Sequence, residues 1–239
     1  EQAREKLAAL VRDAGLGEAD VHVTVATLSA QEAIGNPTRE DYALLEGKEV
    51  MIEARFEESF GQAFTDHPKG FHGRVADVLG LNLDTTDNRA IFTATLNAVT
   101  AHMCLATRTR HCRDEEPEEC AAEIARELLA RFGKIKIGLV GYQPAILEHL
   151  VQGFGAENVR GIDLNPKNVG TQKFGVHMGD GRKATQELID WSDLVLVTSS
   201  ALVNNTFDAI QQEADSQGKH LIMFGVSGAG VSALTEVER

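Results

Sequence analysis

The sequence predicts an α/β protein in which a parallel sheet covered by helices follows a smaller α+β region. The main evidence is a βαβ unit in the middle of the chain. An apolar, β-branched run at 135–140 stops at Gly141, an amphipathic segment opens after Pro144, and a second apolar run covers 159–164. Strands and helices then alternate to residue 224, whereas the first hundred residues alternate with a period of two before the pattern turns helical.

The first region is predicted to contain a packing helix, an antiparallel meander and two further helices. Residues 1–14 carry one apolar stripe, and Gly15 or Gly17 ends that helix. Apolar residues at every second position predict strands at 20–28, 48–56 and 59–64. Apolar residues at helical spacing predict helices at 73–79 and 87–105. This arrangement is α+β.

The second region follows a charged connector at 108–116. A helix is predicted from Pro117 to Gly133, since Pro favours the first helical turn and Gly the position after the last. Beyond the βαβ unit the pattern gives a helix at 184–189, a strand at 194–197, a helix at 206–214 and a strand at 220–224. We therefore predict two domains, 1–107 and 108–239.

Composition and charge limit the classes of partner that the protein is expected to bind. The chain has 239 residues, is 43% hydrophobic and carries a formal net charge of −13. This charge argues against nucleic acid and anionic membrane surfaces, and no apolar run approaches the roughly 18 to 20 residues that span a bilayer. We expect a cytoplasmic protein with a small-molecule ligand and no nucleic-acid or membrane partner; a homodimer is left open because two-domain proteins of this size often pair.

The strand-to-helix turns of the second region are the first candidate site. In an open parallel sheet these turns converge at the carboxyl edge, where backbone N–H groups are free. The candidates for binding a cofactor or ligand there are Gly141, Tyr142, Gln143, Asp163, Asn165, Thr198, Ser199, Asn204 and Ser227. Asp163 is placed to accept hydrogen bonds from a ribose, and Ser227 to form an anion nest. The alternative is that these residues only cap helices and shape turns.

A dinucleotide fingerprint is incomplete in this region. Gly138 and Gly141 give only G-x-x-G, and Gln143-Pro144 stands where further small residues are expected. The spacing therefore predicts the fold better than it predicts a cofactor, and the cofactor stays unknown.

The first region carries acid, base and anion-binding side chains. The polar segment 34–42 contains Arg39, Asp41 and Tyr42, and two more candidates for contacting substrate are Asp66 and Arg89. Spacing alone does not show that these groups meet.

The segment before the helix at Pro117 offers metal-ligand types. His111 and Cys112 precede an acidic run at 114–119, although carboxylates in a first helical turn also offset the helix dipole. The equal spacing of Cys104, Cys112 and Cys120 does not match a zinc pattern and suits reduced thiols. The metal ligands, if any, stay unknown.

Several motifs together resemble a prokaryotic family of unknown function described as putative heavy-metal chelation proteins. Up to residue 121 they are GNPTREDYALLEGKEV (35–50), GQAFTD (61–66), NRAIFTATLNAV (88–99) and HCRDEEPEECA (111–121). Beyond it they are GLVGYQPA (138–145), IDLNPKNVG (162–170), SDLVLVTSSALVNNT (192–206) and FGVSGAG (224–230).

This resemblance implies an enolase-N-terminal-like domain joined to a Rossmann-like domain, with a site between them. It also implies condensation or hydrolysis connected with pterin, flavin or metallophore molecules. Carried over by motif, the cleft would be lined by Asn36, Arg39, Asp41 and Tyr42 from one domain and by Tyr142, Gln143, Asp163, Thr198, Ser199 and Asn204 from the other.

Three hypotheses follow. The first is a protein that binds a small heterocyclic or metallophore-type molecule in an interdomain cleft and acts on it, with Arg39 holding an anion and Asp41 or Tyr42 moving a proton. The second is a transition-metal binding or delivery module that uses His111, Cys112 and the acidic run. The third is a methyltransferase that binds S-adenosylmethionine against Gly138, Gly141 and Asp163.

Overall fold

A computed structural model describes residues 1–16, 22–46 and 49–239, except for the side chains of His22, Val23 and Glu46. The helix end predicted at Gly17 and the strand starts predicted at Asp20 and Lys48 lie outside these residues.

The first half of the chain forms a four-stranded antiparallel sheet with the order β3-β2-β1-β4. Its elements are α1 (Gln2–Asp13), β1 (His22–Leu28), α2 (Ala30–Ile34), α3 (Ala43–Glu46), β2 (Val50–Phe56), β3 (Ser59–Thr65), β4 (Phe71–Arg74), α4 (Val75–Leu79) and α5 (Thr86–His102). The expectation of three strands was incomplete, because Phe71–Arg74 pairs with β1 as a fourth. The polar segment 34–42 is bracketed by two short helices that the pattern did not predict.

The second half forms a six-stranded sheet with the order β10-β9-β5-β6-β8-β7. Its elements are α6 (Glu116–Phe132), β5 (Ile137–Val140), α7 (Pro144–Phe154), β6 (Val159–Asp163), β7 (Gln172–Lys173), β8 (Val176–Asp180), α8 (Thr185–Trp191), β9 (Leu194–Thr198), α9 (Ser200–Val203), α10 (Phe207–Ser216), β10 (His220–Phe224) and α11 (Ala229–Leu234). Only the β7–β8 pair is antiparallel among the described strand pairs of this sheet. The predicted α/β class, with a parallel sheet after an α+β region, is confirmed.

The strand order of the second sheet reverses at β5. The chain moves outward from β5 through β6 to β8 and then returns to place β9 on the other side of β5. Neighbouring crossovers therefore leave the sheet on opposite faces, which opens a crevice beyond the carboxyl ends of β5 and β9. This is the edge at which the sequence placed its candidate residues.

Helix α5 lies between the two halves of the protein. Every residue from Ala90 to Thr100 is buried, and the helix packs on β2 and β3 on one side and on α9 and α11 on the other. Helix α5 approaches β3 and α11 so closely that each carries a glycine at the contact. A Cβ at Gly61 would lie 2.2 Å from the backbone N of Ala98, and one at Gly230 would lie 2.7 Å from Leu96.

Asn97 on α5 joins both halves through its side-chain amide. The Nδ2 group donates to the carbonyls of Gln62 (2.8 Å) and Val226 (3.0 Å), and Oδ1 accepts from Gly230 N (2.6 Å). The apolar core also runs from Leu7 through α5 to Met223 without a break. The division at residues 107 and 108 stays a prediction. No described helix is long and apolar enough to cross a membrane.

Candidate binding cleft

A cleft of about 790 Å³ opens at the carboxyl edge of the parallel sheet. This volume lies within the range of small-molecule sites. Nine of the predicted site residues line it: Tyr42, Gly141, Tyr142, Gln143, Asp163, Asn165, Thr198, Ser199 and Asn204. Glu49, Phe64 and residues of the segment that precedes α6 also line the cleft.

Gly141 lets the turns after β5 and β9 approach each other. Its φ is +90°, and a Cβ there would lie 2.5 Å from Cγ2 of Thr198. Its N–H donates to the carbonyl of Ile162 at 2.9 Å. A side chain would push Thr198 out of the cleft floor, so glycine is required by both conformation and space.

Asp163 ties two of the strand-end turns together. Its Oδ2 accepts from Tyr142 N at 2.6 Å, and its Oδ1 accepts from Asn165 N at 2.5 Å. Gln143 caps α7, because its Oε1 accepts from Ile146 N at 2.6 Å. The N–H groups of Gly141, Tyr142 and Ile146 are therefore engaged within the protein, which leaves this turn poorly suited to cradle a phosphate.

Ser199 places an unpartnered hydroxyl in the cleft wall. The residue is 1% exposed, and its Oγ has no hydrogen-bond partner among the described residues. Gly225 allows this position, since a Cβ there would lie 2.6 Å from that Oγ. A buried hydroxyl without a partner is costly.

Glu49 is the site residue that the sequence reasoning missed. It immediately precedes β2 and lines the cleft. Burial raises its pKa to about 7, and the charges of Asp163 and Asp66 add to the effect. The carboxyl group therefore changes protonation near neutral pH.

The signal for Glu49 was present in the strand register. Because side chains alternate along a strand, Glu49 lies on the same side of the chain as Met51 and Glu53 of β2. Met51 is fully buried and packs with Ile34 and Leu44, so this face is covered at the start of β2, whereas Arg55 near its end is exposed. A carboxylate next to this covered start of the strand is partly buried and reaches the cleft.

The loop 36–42 is fixed by an ion-pair network that we name the Arg39 cluster. Its members are Arg39, Asp41, Tyr42, Glu118, Glu148 and His149. Arg39 Nε donates to Glu118 at 2.5 Å, Nη2 pairs with Glu148, and Nη1 lies 3.5 Å from Asp41. Glu118 also accepts from the Tyr42 hydroxyl at 3.0 Å and lies 3.4 Å from His149 Nε2.

These contacts do not favour the predicted catalytic roles of Arg39 and Tyr42. Burial alone would lower the pKa of Arg39, but the bonds to Glu148 and Glu118 raise it above its ordinary range, so the guanidinium is a permanent, compensated cation. Burial and the bond to Glu118 raise the pKa of Tyr42 above its ordinary range. Asp41 brings the loop to the cleft, where its Oδ2 lies 3.4 Å from the Tyr142 hydroxyl.

Arg39 and Asp41 do not themselves line the cleft, and neither do the remaining four predicted site residues, Asn36, Asp66, Arg89 and Ser227. Asn36 donates its N–H to Asp114 (2.9 Å), and exposed Asp66 pairs with His67 Nδ1 (2.7 Å). Arg89 donates to the carbonyl of Val203 at 2.6 Å. Ser227 is fully buried, and its Oγ accepts from Phe64 N at 3.0 Å, which joins the two sheets rather than forming an anion nest.

The acidic run docks the loop onto α6. Glu115 accepts from both the N–H and the hydroxyl of Thr38, at 2.9 and 2.6 Å, and Asp114 packs against Gly35. Burial lowers the pKa of His111 to about 4, so its ring is neutral at neutral pH. Over the described part of the chain, no three His, Cys, Asp or Glu side chains cluster closely enough to hold a metal ion.

Residues 125–235, somewhat less than half of the chain, match the DUF364 family, whose description reads putative heavy-metal chelation. Over these residues the chain is similar to DUF364 proteins. The resemblance indicated by the motifs is thereby confirmed. No curated protein matches the chain.

Two solved DUF364 structures of unknown function are similar to the chain. One, from Pyrococcus horikoshii, has 15% sequence identity and a TM-score of 0.52, covering 95% of this chain and 78% of that one. The other, from Desulfitobacterium hafniense, has 13% identity and a TM-score of 0.46, covering 72% and 67%. The first shows that the fold is shared.

Proposed function

We propose that this chain binds a small heterocyclic or metal-chelating molecule in the cleft at the carboxyl edge of the parallel sheet. Glu49 is the residue that shares or moves a proton with this molecule. The proposal is supported by the size of the cleft, by its position at the switch point of the sheet, and by the polar groups that converge in it.

The observation that carries the proposal is the environment of Glu49. Its carboxyl is partly buried near the charges of Asp163 and Asp66 and has no ion-pair partner among the described residues, which raises its pKa to about 7. Strongly perturbed carboxyls in clefts are candidates for functional groups, and a pKa near the working pH suits a general acid or base.

The groups around Glu49 indicate the chemistry of the ligand. The Ser199 hydroxyl can donate or accept, whereas Asp163 and an ionised Glu49 accept, so the polar end of the cleft matches a ring with N–H or O–H donors along one edge. Apolar side chains, including Leu44, Val140 and Ile146, line other parts of the walls and suit its flat faces. The family description, which names heavy-metal chelation, agrees with a ligand of this kind that chelates a metal.

The two rival functions have less support. Gly138 lies within β5, and a Cβ there would meet Ser192 Oγ at 2.3 Å, so this glycine serves packing rather than an adenosyl cofactor. The carboxylates expected to hold a metal instead dock the loop 36–42 onto α6. We therefore propose no second function.

The experiment is a titration of the chain with pterin, lumichrome and a catechol chelator, followed by saturation-transfer NMR and calorimetry. We expect at least one probe to bind with a Kd below about 1 mM and to bind about tenfold more weakly to Glu49→Gln and to Ser199→Ala. Glu40→Gln, a change at an exposed carboxylate, is the matched control and should bind as the unmodified chain does. Equal binding by all variants, or no binding at millimolar probe, would contradict the proposal.

A further inference from the structure

Two cysteines form a thiol pair in the wall of the cleft. Cys112, in the segment that joins α5 to α6, and Cys120, in the second turn of α6, have their Sγ atoms 3.1 Å apart. Both are partly exposed and line the cleft, and neither is in a disulfide. A disulfide bond is about 2.05 Å long, so a relative shift of about 1 Å would join them.

The two thiols are electrostatically unequal. The hydrogen bond between the two sulfurs lowers the pKa of Cys120 to about 7, although burial opposes this, and the cation of Arg108 adds to the lowering. The same hydrogen bond, together with burial, raises the pKa of Cys112 above its ordinary range. We take Cys120 as the attacking thiolate and Cys112 as the thiol that resolves the product, an order that the single-cysteine variants test.

We propose that Cys112 and Cys120 are a redox-active dithiol that closes to a disulfide by exchange with a low-molecular-weight disulfide. The Cys120 thiolate attacks one sulfur of the small disulfide, whose S–S bond breaks and releases one small thiolate. Cys112 then loses its proton and attacks Cys120 Sγ, which releases the second small thiol. Two electrons pass to the small disulfide, and the two protons end on the two small thiols.

The flanking contacts show what the disulfide would change. His111, next to Cys112, donates its backbone N–H to the Gln62 side chain at 2.6 Å, and its ring packs on Phe64 at 5.4 Å. The other half of the disulfide, Cys120, lies on helix α6. The closed form would tie the joining segment to α6 at the wall of the cleft, whereas the open form leaves this wall held by non-covalent contacts.

The experiment uses the full chain with oxidised glutathione under anaerobic conditions, followed by acid quenching, thiol counting and intact mass measurement. The chain has three cysteines, and we expect free thiols to fall from three to one with the loss of two hydrogen atoms. Non-reducing peptide mapping should join the Cys112 and Cys120 peptides. The Cys104→Ser control, at an exposed cysteine outside the pair, should still form this disulfide.

The single variants test the assigned order of attack. Cys112→Ser should trap a glutathione adduct on Cys120, and Cys120→Ser should prevent the two-hydrogen loss. If oxidised glutathione modifies Cys104 while the pair keeps both thiols, or if the Cys112→Ser adduct forms only on Cys104, the proposal is overturned. No ligand is needed for this readout, so its failure would leave the proposed small-molecule function standing.

Discussion

The Arg39 cluster and the Glu49 end of the cleft both contain several charges, yet they differ in how those charges are compensated. Arg39 contacts three carboxylates, and one of these also binds a tyrosine hydroxyl and a histidine. Glu49 is partly buried near two like charges and has no cationic partner among the described residues. Compensated charge fixes the loop, whereas uncompensated charge makes a group that responds to protons and ligands.

The largest expected effect comes from the glycine that shapes the cleft floor. Gly141→Ala places a Cβ 2.5 Å from Thr198 at a φ of +90°, so we expect a loss of about 3 kcal/mol in the free energy of unfolding. Gly153→Ala is the control, since its Cβ would meet nothing within 4 Å in α7, and it should be neutral or stabilising. Urea denaturation of both variants measures the difference; equal stabilities would show that the floor tolerates a side chain.

Breaking the Arg39 cluster should cost stability without altering the proton chemistry of the cleft. Glu118→Ala leaves the hydroxyl of buried Tyr42 and part of Arg39 unpaired, and we expect a loss of about 2 kcal/mol. Glu119→Ala, at an exposed position on the same helix, should change stability by less than about 0.5 kcal/mol. A Glu118→Ala variant as stable as its control would contradict the structural role of the cluster.

Glu49 should produce a stability difference that depends on pH. Folding raises its pKa from 4.5 to about 7, so the folded state keeps a proton that the unfolded state loses in this window. The unmodified chain should therefore lose stability as the pH rises from 4.5 to 7, and Glu49→Gln should remove this loss, being more stable by about 3 kcal/mol at pH 8. Denaturation at pH 4.5 and pH 8 measures it. A difference that is the same at both values would count against the raised pKa.

The smallest stability effect is expected at Ser199. Its hydroxyl makes no hydrogen bond among the described residues, so Ser199→Ala should change the free energy of unfolding by less than about 0.5 kcal/mol or stabilise the fold. Ser192→Ala is the matched control: its buried hydroxyl donates to Leu188 O at 2.6 Å, and its loss should cost about 1 kcal/mol. If Ser199→Ala costs as much as the control, the hydroxyl has a structural partner and is not held for a ligand.

Elements with strong local signals could be predicted from the sequence. Strand β10 was predicted at its observed bounds, His220–Phe224, because an apolar run follows a helical pattern there. Strand β8 was missed, since Val176 and Met178 are its only fully buried side chains and Gly179 weakens the pattern. Helix α2 had a usable signal, the capping box formed by Ser29 and Glu32, which precedes an apolar pair.

The turns of the site could be placed from the sequence because parallel strands bring their carboxyl ends to one edge. Which charges are free could not be predicted. Arg39 meets Glu118 and Glu148 from distant helices, and Glu49 comes near Asp163 only once the two sheets pack together. Residue type indicated chemistry in both regions, but only tertiary contacts separate the compensated group from the uncompensated one.

The most direct test of the account is a ¹³C titration of glutamate side-chain carboxyls by NMR, with the Glu49 signal assigned by its absence in Glu49→Gln. We predict a midpoint of about 7 for Glu49 in the free chain. Addition of a binding probe should shift this midpoint, because the ligand contacts the carboxyl. A midpoint near 4.5, unchanged by any probe that binds, would contradict the account.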